Sequence, residues 1–73
     1  MPELPRTSGK EAMRAFERLG FRQVRQKGSH VVLRKETQGC TIPLHSSLSV
    51  GTLRGAIRQA GITVEQFVRA FEG

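Results

Sequence analysis

A chain of 73 residues has room for one small domain, which buries only about 60% of the surface its unfolded form exposes, and it holds no apolar run near the roughly 20 residues a membrane span needs. Twelve cations against six acids give a net charge of +6, and Glu36 is the only acid between Arg18 and Val64; such a one-signed field favours a polyanion, though a solvated basic surface or a docking face for an acidic protein fits it too. A single cysteine excludes an internal disulfide and a cysteine-based zinc site, and an amino terminus with Pro2, Glu3 and Pro5 does not fit a signal peptide, so a soluble cytoplasmic protein without a cofactor is expected.

Residues 1–7 read as a flexible lead and residues 8–73 as the single domain. Ser8-Gly9-Lys10-Glu11 has the form of a capping box, in which the serine hydroxyl and the glutamate carboxylate each bind the other residue's backbone amide. The helix that follows places Ala12, Ala15, Phe16 and Leu19 on one apolar stripe, with Met13 at its edge and Gly20 as a left-handed cap. Residues 21–26 are extended and polar-rich, an edge strand with Val24 as its inward residue. Gly28 is the natural tip of a turn because glycine takes positive φ without a steric penalty, and a better strand runs from His30 to Glu36. Thr37-Gln38-Gly39 reads as a second turn and Cys40-Thr41-Ile42 as a third short strand, which Pro43 stops or confines to an edge. After a loop at Leu44-His45-Ser46-Ser47, Ser49 caps a helix stapled by Leu48 on Leu53, with Leu53, Ala56, Ile57 and Ala60 inward. Gly61 ends it, Thr63 and Gln66 repeat the capping device, and a last helix offers Phe67, Val68 and Phe71 to the core. The fold class is α+β: a helix, three antiparallel strands, a helix and a short extra C-terminal helix, with the helices on one face of the sheet.

Side-chain alternation gives this scaffold a chemical face. If Val24, Val31 and Leu33 point to the core, then Arg25, Lys27, His30 and Arg34 share the opposite surface. An imidazole can take a proton from a ribose 2′-hydroxyl or return one to a leaving oxygen, and nearby cations can stabilise charge growing on phosphate oxygens. RNA fits that set. An ordinary surface histidine fits the same spacing, so position alone leaves both readings of His30 open. His45, in the loop after the third strand, can reach the rim of the same face and supply a complementary proton transfer. Arg54 and Arg58, one turn apart, form either a phosphate-facing pair or two solvated cations. Nine of the 12 cations are arginine, whose bidentate pairing with phosphate tilts the balance toward nucleic acid. Two histidines, one cysteine and no aspartate give no cluster at metal-ligand spacing, so hydrolysis here is expected to run without a metal.

Several of these pieces occur together in one known family. Ser8-Gly9-Lys10-Glu11, Gly20-Phe21, Arg25-Gln26-Lys27-Gly28-Ser29-His30, Ile42-Pro43-Leu44-His45, Gly51-Thr52-Leu53-Arg54 and Ala60-Gly61 on to Phe67 make the chain resemble the HicA family of toxin-antitoxin systems, small mRNA interferases with a double-stranded-RNA-binding-domain-like (dsRBD-like) fold. The resemblance runs from about residue 8 to the end. It implies an endoribonuclease that cleaves mRNA with little or no sequence preference, with His30 of the Gly28-Ser29-His30 motif catalytic; Gly28, Ser29 and the neighbouring cations are then expected to contact RNA. It also implies a HicB-type antitoxin that silences the toxin by covering the active face, its acidic side chains approaching the surface of Arg25, Lys27, His30 and Arg34. A protein of this fold that binds RNA without cutting it is the alternative. Residues 1–7 extend the family's usual start, and Val32, apolar on an outward face, suggests a surface covered by the partner or by self-association.

Overall fold

The computed structural model describes residues 3–73, in the order α1 (Gly9–Arg18), β1 (Arg22–Lys27), β2 (His30–Lys35), β3 (Gln38–Pro43), α2 (Val50–Ala60) and α3 (Val64–Glu72). It is an α+β fold with an open three-stranded antiparallel sheet in the order β1-β2-β3, consistent with the dsRBD-like class. Each helix begins where a side chain satisfies its free amides. The Ser8 hydroxyl accepts from the Glu11 N–H (3.1 Å) while the Glu11 carboxylate accepts from the Ser8 N–H (3.0 Å), and Thr63 and Gln66 form the same reciprocal pair. Ser49 caps α2 through the Thr52 N–H, and Gly61 closes that helix at φ 73, where a side chain would be strained.

The core lies between one face of the sheet and the helices. Ala12, Ala15 and Phe16 of α1 meet Val31, Leu33, Cys40 and Ile42 of the strands, Leu53, Ala56, Ile57 and Ala60 of α2, and Phe67 of α3. Phe16 packs edge-on to Phe21 with ring centroids 5.5 Å apart and tilted to Phe67 at 5.4 Å, so one aromatic joins α1, the chain entering β1, and α3. Burial of Cys40 pushes its thiol up to about 12, which leaves it a packing residue rather than a nucleophile.

Four expectations need correction. Val24 is 49% exposed, not inward, because the ladder slips between Gln23 and Arg25 and leaves it as the extra residue of a β-bulge. The second turn is Glu36-Thr37, with Glu36 itself at φ 57, and β3 begins at Gln38, which pairs with Lys35. As expected of an edge strand, β3 ends at Pro43, in register with His30, where the missing N–H breaks no ladder bond. On α3 only Phe67 is buried: Phe71 is partly covered and stacked on it, and Val68 remains outside the cluster, Val64 and Ala70 packing there instead. Of the lead over residues 1–7, Met1 and Pro2 lie outside the described residues, but Leu4 packs on the core and Thr7 is buried, its carbonyl accepting from the Leu48 N–H at 2.8 Å.

Candidate functional site

The β1–β2 hairpin turns on Gly28-Ser29 between the paired residues Lys27 and His30, with Gly28 at φ 60 and Ser29 on the ordinary side of the φ map, the pattern of a type II′ turn. This turn fixes which residues face away from the core, since directly opposed residues of an antiparallel ladder share a face. Three rows result: Lys27 with His30 and Pro43, Arg25 with Val32 and Thr41, and Arg22 with Arg34 and Gly39. Val31 and Leu33 point the other way and are fully buried. The outer face therefore carries Arg25, Lys27, His30 and Arg34 together, with Arg22 added to the expected set, and all are exposed.

Not every cation in this region is available to a ligand. Lys35 Nζ donates to the Leu19 carbonyl at the end of α1 (2.7 Å), and Arg18 Nη1 donates to the Ala70 carbonyl near the end of α3 (2.8 Å), each satisfying a helix C-terminus. Among the described residues the one ion pair is Glu65 with Arg69 on α3. Arg22, Arg25, Lys27 and Arg34 thus have no carboxylate partner there.

His30 opens onto a cleft of about 570 Å³ between the outer face of β3 and helix α2, whose walls include Thr41, Pro43, His45, Ser47, Thr52 and Gln59. The α2 wall is low because Gly51 and Gly55, four residues apart, present no side chain, and a Cβ at either would meet nothing within 4 Å. Gln59 closes the far end, its side-chain oxygen accepting from the Thr41 N–H on the free edge of β3 (3.4 Å). No carboxylate and no lysine or arginine lines this cleft. Its polar groups are hydroxyls, one amide and two imidazoles, and the cations stand along the sheet beside it.

His45 sits across the cleft with its ring centroid 6.4 Å from that of His30. It also lines a second cleft of about 510 Å³ with Ser8, Lys10, Gln23 and Gln26, so it stands on the ridge between the two. Arg34 flanks a shallower hollow with Val32, Thr41 and Gln59. Arg54 and Arg58 are exposed and are not among the residues lining any of these clefts; beside the core residue Ala56, the α2 residues that line the His30 cleft are Gly51, Thr52, Gly55 and Gln59. Those four were missed in the sequence, although the spacing of 51, 55 and 59 places them on one helical face apart from the apolar stripe. Among the described residues, no three His, Cys, Asp or Glu side chains group in a way that could hold a metal ion.

A family model described as the HicA toxin of bacterial toxin-antitoxin systems matches residues 9–62, well over half of the chain. No curated protein matches it. The matched span takes in α1 from Gly9, the hairpin with His30, the His45 segment and all of α2.

Proposed function

Because the chain belongs to the HicA toxin family of bacterial toxin-antitoxin systems, we propose that it is an endoribonuclease that cleaves mRNA at the outer face of the sheet, with His30 as general acid or base. The observation that carries this reading is the setting of His30. Its ring is exposed, opens onto a cleft of about 570 Å³, and lies directly across the ladder from Lys27. Arg22, Arg25 and Arg34 extend the same face. A ribose-phosphate strand laid along these rows brings a phosphodiester to the imidazole while the cations take the charge on neighbouring phosphates. Gly28 and Ser29 bound the approach to His30 and contact the same strand, and Arg54 and Arg58 meet phosphates beyond the cleft.

The reaction proceeds without a divalent cation, since a 2′-hydroxyl nucleophile needs only a proton acceptor, which an imidazole supplies. An antitoxin of the HicB type silences the protein by covering this face, with acidic side chains on Arg25, Lys27 and Arg34 and an apolar contact on Val32. Incubation of the purified protein with mRNA in excess EDTA tests the reading. Fragments should appear, and expression in cells should arrest growth unless the antitoxin is co-expressed. Binding without fragments would make the protein a non-catalytic RNA-binding module, and no RNA affinity at physiological salt would make it a protein-binding adaptor.

A further inference from the structure

His45 belongs to no helix or strand, yet its segment is firmly held. The Leu44 N–H donates to the carbonyl of Ser29, the residue just before His30, and the Gly9 N–H at the start of α1 donates to the His45 carbonyl at 2.9 Å. A Cβ on Gly9 would overlap the Pro43 carbonyl oxygen and come within 2.8 Å of the Leu44 Cα, so glycine is what lets α1 seat against this segment. The loop is thereby tied at one point to the His30 turn and at another to a helix of the core. It holds an exposed imidazole across the cleft from the first, with the ring planes at 72° and the centroids 6.4 Å apart.

That separation suits a shared substrate better than a direct contact. A proton transfer needs a heavy-atom distance of about 3 Å, and the two oxygens that exchange protons stand on opposite sides of phosphorus, one toward each ring of a pair that flanks it. One phosphodiester between the rings is therefore within reach of both. The charged groups around the pair are Lys27, across the ladder from His30, and Lys10, which shares the second cleft with His45; no carboxylate lines either cleft.

Resting on the proposed RNA cleavage, we infer that His45 is a second catalytic residue, and that His30 and His45 divide between them the two proton transfers of the reaction. The ribose 2′-oxygen forms a bond to phosphorus as its proton passes to one imidazole. The bond from phosphorus to the 5′-oxygen breaks as the other imidazole, protonated beforehand, gives that oxygen a proton. The products are a 2′,3′-cyclic phosphate and a 5′-hydroxyl, and the proton has moved from one ring to the other.

An RNA oligonucleotide whose cleavage position has been mapped with the wild-type protein, made with either oxygen or sulfur at the 5′ position of the cleaved linkage, tests the division. A thiolate is a good leaving group without a proton, so a variant lacking the acid recovers on the sulfur substrate and one lacking the base does not. His45→Ala should bind the RNA as the wild type does, lose about 10²–10⁴-fold in cleavage of the oxygen substrate, as His30→Ala does, and sulfur should restore one of the two variants but not the other. Undiminished cleavage by His45→Ala, or recovery of both variants or of neither, would overturn the pair while leaving the nuclease reading intact. Failure of the wild type to cut any RNA would instead remove that reading and the pair with it.

Discussion

Lys27 and Lys35 carry the same charge and do different work. Lys35 reaches the carbonyl of Leu19 and closes α1, whereas Lys27 stands opposite His30 with no carboxylate partner among the described residues. Composition could not separate them, because the distinguishing partner of Lys35 is 16 residues away in the chain and that of Arg18 is 52. The site was legible only as a set of residue types on alternating positions. If Arg25 and Lys27 each contact a phosphate, Arg25→Ala and Lys27→Ala will each weaken RNA binding and make its salt dependence shallower by about one unit. Lys35→Ala will leave that slope unchanged and lower the melting temperature instead. A salt titration of binding for the three variants checks this, and an unaltered slope for Arg25→Ala and Lys27→Ala would return both to the solvated surface.

Elements whose signals lie within four residues were the most legible ones. The caps at Ser8, Ser49 and Thr63 were readable because hydroxyl and partner amide are local, and the alternation of β2 was readable because Val31 and Leu33 fall on one side of it. The β1 bulge and the Glu36-Thr37 turn were not. Nothing local marks Val24 as the unpaired residue, and Gly39 drew the second turn toward itself although it lies in the ladder opposite Arg34. The capping box of α1 makes a testable prediction in acid. Hydrogen bonds from the Ser8 backbone and hydroxyl hold the Glu11 carboxyl below its ordinary value of 4.5. A carboxyl with a lowered folded-state pKa adds stability that is fully present above the unfolded value and is lost as pH falls through the folded one. Wild type should therefore exceed Glu11→Gln in melting temperature at neutral pH, and the gap should close as pH falls below about 4.5. A gap that is constant with pH would remove the carboxylate from the cap.

At the scale of the whole molecule, the fold class followed from the order of the elements, while the cleft depended on how α2 docks. The sequence places Gly51, Gly55 and Gln59 on one helical face, but only the packing of Leu53, Ala56 and Ile57 against β3 turns that face toward His30. The Gly9 contact was likewise hidden, since its partners lie more than 30 residues on in the chain. Phe16 is the residue on which this assembly converges. Phe16→Ala should cost about 3–5 kcal/mol, a large share of the roughly 5–15 kcal/mol that holds a domain together, and should be visible as a lower denaturation midpoint with RNA binding and cleavage lost in parallel. His30→Ala must behave differently, because one exposed imidazole contributes little to the phosphate-dominated affinity. The decisive measurement is cleavage and binding of the same RNA, side by side, by wild type and His30→Ala: the histidine mechanism predicts binding nearly unchanged and cleavage down by about 10²–10⁴-fold, and equal cleavage by the two proteins would contradict it.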